Sequence, residues 1–161
     1  PDKVAYVTQT TLSVDDTRDI LSALKERFPN IVSPSKLDIC YATQNRQDAV
    51  KALAKEVDLI FIMGSPESSN SNRLVEVAKS NGVEKAYLIE GAQNLDGHLF
   101  RSNMVVGLSS GASTPETVVL EVIARLREFG ADRIEELDGK EENTRFPFPE
   151  TIKFASASSS K

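Results

Sequence analysis

The sequence predicts an α/β domain built as a parallel sheet flanked by helices. Three observations carry that prediction. Short apolar runs recur along the chain, amphipathic segments separate them, and a small polar loop follows most runs before the next helix. Alternation of this kind sets successive strands parallel and puts helices on both faces. In such sheets, ligands sit at the carboxyl ends of the strands.

Taken in order, Lys3-Val4-Ala5-Tyr6-Val7-Thr8 reads as a strand and Gln9-Thr10-Thr11-Leu12-Ser13 as a polar loop. Ser13 suits a helix N-cap with Asp16 three residues on. Ile20, Leu21, Leu24 and Phe28 recur at helical spacing, and Pro29 marks the end. Leu37-Asp38-Ile39-Cys40-Tyr41 fits a strand or a loop. Thr43 is expected to cap a helix running to about Glu56, with Val50, Leu53, Ala54 and Val57 on one side.

Leu59-Ile60-Phe61-Ile62-Met63 is the most apolar run and the expected central strand. Gly64-Ser65-Pro66-Glu67-Ser68-Ser69-Asn70 follows as a tight polar loop, and the helix after it ends near Asn81-Gly82. Lys85-Ala86-Tyr87-Leu88-Ile89 and Met104-Val105-Val106-Gly107-Leu108 are further strands, joined by a less regular stretch with a short helix. Ser109-Ser110-Gly111-Ala112-Ser113 is a second small-residue loop. Thr114-Pro115-Glu116 opens a long helix, because Pro suits a first turn and Glu its positive end. Val118, Val119, Val122, Ile123 and Leu126 form its buried face, and Gly130 closes it. Arg133-Ile134-Glu135-Glu136-Leu137 is a candidate last strand. Beyond it, Phe146, Phe148, Ile152 and Phe154 are expected to lie against the body, before a low-complexity Ser-rich end.

Composition narrows the function. The 161 residues suffice for one domain with a real core. A net charge of -5 argues against broad nucleic-acid binding, and the absence of Trp argues against base-stacking platforms. No apolar run approaches the roughly 20 residues that span a bilayer. A single cysteine excludes an internal disulfide and fits a reducing compartment. The start at Pro1, without Met and almost at once in a strand, resembles a cut edge.

Four predicted loops fall on the ligand edge of the sheet: residues 9–13, 40–43, 64–70 and 109–114. All are rich in Ser, Thr, Asn or Gly, and all precede helices. One such loop is ordinary capping. Four together point to an anion, because helix mouths present free N–H groups and the positive end of the dipole. Arg46 and Arg73 lie in helix starts and are open to a ligand role or a structural one. The sequence has neither Gly-x-Gly-x-x-Gly nor a Walker-type Gly-Lys-Ser/Thr, and the Gly111 turn is not a nucleophile elbow. Cys40 reads either as a small buried residue or as a thiolate at the ligand edge. His98, the single histidine, reads as an exposed turn residue. The acidic residues 135–142 read as a solvated surface.

Four segments resemble the LytB/IspH family, the 4-hydroxy-3-methylbut-2-enyl diphosphate reductases of the non-mevalonate isoprenoid pathway. They are Thr8-Gln9-Thr10-Thr11-Leu12-Ser13, Asp38-Ile39-Cys40-Tyr41-Ala42-Thr43 with Asn45-Arg46-Gln47, Ser68-Ser69-Asn70-Ser71-Asn72-Arg73-Leu74, and Gly111-Ala112-Ser113-Thr114-Pro115. The resemblance covers the C-terminal half of the family's length and implies part of a three-lobed α/β fold. It divides the chain into the end of the middle lobe (1–36), the C-terminal α/β lobe (37–130) and an extension with a tail (131–161). It implies that Cys40 is one of three cysteines holding a [4Fe-4S] cluster. Ser68, Ser69, Asn70 and Ser113 are implied as contacts to the substrate diphosphate, and Thr10 as a pocket residue near its hydroxyl end.

The implied reaction is reductive removal of that hydroxyl, yielding isopentenyl and dimethylallyl diphosphates. A ferredoxin or flavodoxin is the implied electron donor, and the cytoplasm of a bacterium or a plant plastid the implied location. The family's other two cluster cysteines, its pocket histidines and its proton-donating glutamate belong to the N-terminal half. No catalytic residue is therefore expected in this chain, which alone is expected to be inactive. Glu67 stands where an amide is more usual, and Ser109-Ser110 replaces a more usual Thr-Ala pair. A non-catalytic module that binds a phosphorylated small molecule is the alternative, and a plain scaffold domain the third reading.

Overall fold

The computed structural model describes residues 3–34 and 41–137. At its centre is a three-stranded sheet in the order β2-β1-β3, made of β1 (Leu59–Met63), β2 (Ala86–Ile89) and β3 (Val106–Ser110). Both pairings are parallel, with Met63 opposite Ile89 on one side and opposite Ser110 on the other. The expected central strand is therefore central, and all five of its residues are buried.

Buried strands alternate their side chains between faces, and β1 divides the core accordingly. Ile60 and Ile62 join Val50 and Ala54 on one face, together with Leu74, Val77 and Ala78. These come from α2 (Tyr41–Leu53) with the turn after it, and from α3 (Ser69–Ser80). Leu59, Phe61 and Met63 face the other way, onto Val122 and Leu126 of α4 (Glu116–Glu128). Phe100 and Phe129 seal that side, with ring centroids 5.3 Å apart. Helices thus cover both faces, as the alternation predicts.

Termination follows local chemistry. Asn81 caps α3 and Gly82 follows at φ 104°, a left-handed conformation that glycine adopts without strain. Gly130 does the same after α4 at φ 103°. Between β2 and β3 run two short 3-10 turns, Ala92–Asn94 and Gly97–Leu99. His98 lies exposed in the second, its N–H bonded to the Asp96 carboxylate at 2.9 Å.

Several expectations need correction. The stretch 3–8 makes one parallel bridge, Ala5 with Val32, rather than a strand; among the described residues, it has no strand to pair with. The first helix, α1 (Val14–Arg27), is capped by Ser13 as expected. Its apolar face is not closed, however: Ile20 is 59% exposed and Leu21, Leu24 and Phe28 are half-buried. Tyr41 is helical rather than extended, and Thr43 is a buried residue inside α2 rather than its cap. That helix ends at Leu53, short of Glu56. β3 begins two residues later than expected and absorbs Ser109 and Ser110, because its register against β1 runs on to Met63. Residues 133–137 form no strand and are exposed. Cys40 and the aromatic residues of the tail lie outside the described residues.

Candidate functional site

The carboxyl ends of β1 and β3 lie side by side, so the loops that leave them meet. Gly111 N–H and Thr114 Oγ1 both donate to the Met63 carbonyl, at 2.8 and 2.9 Å. These two bonds fold the loop after β3 over the end of β1. Gly64 N–H donates to Ile89 O at 2.9 Å, so the loop after β1 leaves in line with the sheet.

That loop opens α3. Ser68 is its N-cap, and its hydroxyl accepts the Ser71 N–H at 3.2 Å. Ser69 and Asn70 are the first two helical residues, whose N–H groups have no intrahelical acceptor. Asn70 is 9% exposed, and neither its amide nitrogen nor its amide oxygen has a hydrogen-bond partner. An unsatisfied buried polar group costs about 1–3 kcal/mol. Here two such atoms stand on one side chain at a helix mouth. Asn72, by contrast, is used within the loop, donating to Ser68 O at 3.0 Å and to Pro66 O at 2.6 Å. Ser65 donates to the Glu67 carboxylate, which lies below its usual range mainly for that reason. Glu67 thus satisfies its charge within the loop.

α2 holds the neighbouring loops together. Arg46 donates through Nη1 to Ser110 O at 3.2 Å and to Ser110 Oγ at 3.4 Å. Its Nε is buried without a partner, as is the Asn45 amide nitrogen. Gln47, fully buried, donates to Leu12 O at 2.8 Å and accepts from Val14 N–H at 3.1 Å. Arg73 of α3 reaches Asp16 of α1 at 3.2 Å and Glu76 at 2.6 Å. Its charge is therefore spent on carboxylates, which settles its structural role.

Ser68, Ser69 and Asn70 accordingly sit together at the α3 mouth. Ser113 is exposed in the adjoining loop, one residue before the Thr114 that anchors it. Thr10 is exposed in the turn before Leu12, and links from its loop to the others run through Gln47 and Arg73. Two residues of the arrangement were not singled out in the sequence. Thr114 reads there as part of a helix start, and Ser71 appears only within the segment 68–74, without a role. The three-residue spacing from Ser68 to Ser71 was the available signal.

Fold and site together define a class: a parallel α/β domain whose adjacent strand ends carry loops of hydroxyl and amide side chains. Within it, the chain belongs to the LytB protein family, whose model matches residues 1–127. A 4-hydroxy-3-methylbut-2-enyl diphosphate reductase of Pseudomonas entomophila is 54% identical over 156 residues, covering 97% of this chain and 49% of that protein. One of Bordetella pertussis is 55% identical over 152 residues, covering 94% and 46%. Among solved structures, the E-1-hydroxy-2-methyl-but-2-enyl-4-diphosphate reductase of Plasmodium falciparum is similar at a TM-score of 0.71 and 39% identity. That match covers 76% of this chain and 38% of the other. The chain spans about half the length of the curated relatives it matches.

Proposed function

We propose that this chain is the diphosphate-binding half of a reductase that acts on 4-hydroxy-3-methylbut-2-enyl diphosphate. Family membership and relatives named for that activity support the reading. The observation that carries it to particular residues is Asn70, a buried amide with both polar atoms unpartnered beside Ser68, the N-cap of α3. Diphosphate oxygens would accept from the Asn70 amide nitrogen, from the free N–H groups of the first turn and from the hydroxyls of Ser68, Ser69 and Ser113. Neutral donors that grip one end of a small substrate fix the position of the other, which is how this half contributes to rate. Thr10 is assigned to the hydroxyl end of the substrate.

Cys40 is proposed as one thiolate ligand of a [4Fe-4S] cluster, which when bound supplies electrons and an open iron to the allylic alcohol. Among the described residues, no group of three or more His, Cys, Asp or Glu side chains is placed to hold a metal. The remaining ligands and the proton donor are assigned to an N-terminal half, and the electrons to a ferredoxin or flavodoxin.

Calorimetric titration of the 161-residue chain with inorganic diphosphate tests the binding assignment. Ser68→Ala and Asn70→Ala are each expected to weaken binding by about tenfold, the worth of one charge-assisted hydrogen bond. Unchanged affinity in both variants overturns it.

A further inference from the structure

We infer that Ser71 is a positioning residue of the diphosphate site, acting through Ser68 to aim that hydroxyl's proton at the ligand. The inference rests on the assignment of Ser68 to the diphosphate. A serine hydroxyl has two lone pairs and one proton. On Ser68 both acceptor directions are taken, by the Ser71 N–H at 3.2 Å and the Ser71 hydroxyl at 3.0 Å. What remains to Ser68 is to donate, and the structure gives its proton no acceptor among the described residues. Two donors into one oxygen also polarise its O–H bond and strengthen its donation.

An ordinary N-cap needs only the N–H bond. The second bond requires the Ser71 hydroxyl to be held inside the fold, and Ser71 is 1% exposed. Two glycines make room for it. A Cβ at Gly64 or at Gly111 would overlap Ser71 Oγ. At Gly64 it would also lie 2.7 Å from Ser71 Cβ, whereas at Gly111 that distance is an ordinary 3.6 Å. The Ser71 hydroxyl therefore sits between the ends of β1 and β3, the two strands whose loops carry Ser68 and Ser113. It is oriented by the sheet rather than by α3 alone.

The test uses the 161-residue chain and inorganic diphosphate, with affinity and thermal midpoint measured for each variant. Ser71→Ala keeps the N–H cap and removes only the hydroxyl. It should weaken binding by about three- to tenfold with the midpoint retained. Gly111→Ala, which displaces the hydroxyl, should weaken it by the same factor and add nothing to Ser71→Ala, where only ordinary contact remains. Ser71→Ala should likewise add nothing to Ser68→Ala, a coupling that a merely structural role for Ser71 would not produce. If Ser68→Ala weakens binding while Ser71→Ala does not, or if their losses add in full, the inference is overturned and the site assignment stands. If neither Ser68→Ala nor Asn70→Ala weakens binding, or the unaltered chain binds no diphosphate, the site assignment fails and the role of Ser71 falls with it.

Discussion

At the α3 mouth the donors are hydroxyls and amides, and a diphosphate carries several negative charges. Arg46 is placed to supply a full positive charge nearby. Its guanidinium is held by Ser110, the residue before Gly111, and its Nε is buried and unpartnered. Arg46→Gln should weaken inorganic diphosphate binding by about tenfold in dilute buffer, with the loss shrinking as salt screens the charge. Titrations across an ionic-strength series check this, and a loss independent of salt would assign Arg46 to loop packing instead. The contrast with Arg73 was not legible in the sequence, since both residues stand near the start of a polar helix. Ser68 entered through the family resemblance, although the three-residue spacing of a cap and its partner was there to be read. The second bond, from the Ser71 hydroxyl, was not legible, because Gly111 reaches that hydroxyl only through the sheet.

Among the elements, the start of α1 is tied to α2 and α3 by side chains. Asp15 of α1 pairs with Lys51 of α2 at 2.5 Å, Asp16 with Arg73 of α3, and Gln47 bonds the backbone on either side of Ser13. The Lys51 hydrogen bond is the main reason that the Asp15 carboxyl lies below its ordinary value. A carboxyl whose folded pKa is depressed contributes stability above its unfolded value, about 3.9, and loses it as pH falls through the folded one. Asp15 is 47% exposed, so the contribution is less than about 1 kcal/mol. Asp15→Asn should therefore lower the urea midpoint slightly at pH 7, and the gap should close toward pH 3. Paired denaturation curves across that range check it, and a gap constant with pH would place the effect elsewhere. Of these elements, β1 and the C-terminal stop of α3 were read correctly from local pattern. The stretches 3–8 and 133–137 carry strand-like composition, but a strand forms only where another offers its hydrogen-bonding edge.

For the whole molecule, the proposal divides the work between this chain and an N-terminal half. Val7, Ile20 and Val32 are each more than half exposed, apolar surface that a further segment would remove from water. Joined to the N-terminal half of a bacterial relative and reconstituted anaerobically with iron and sulfide, the chain should show the visible absorbance of a cluster. Cys40→Ala should abolish it. A joined protein that takes up no cluster, or one whose cluster survives Cys40→Ala, would reject the ligand role. The reading of a phosphate-binding module would then be favoured.

Periodicity, caps and turn residues sufficed to specify the α/β class, the central strand and the hydroxyl-rich helix mouth, because these depend on neighbours along the chain. The tertiary structure decided what those residues face. It set Arg73 against carboxylates and Arg46 against the end of β3, left the Asn70 amide buried and unpartnered, and placed the Ser71 hydroxyl between two glycines. The contacts of Arg73 with Asp16, of Arg46 with Ser110 and of the Ser71 hydroxyl with Gly111 join segments distant in sequence. Their energies therefore depend on how the fold brings those segments together, which no local pattern records.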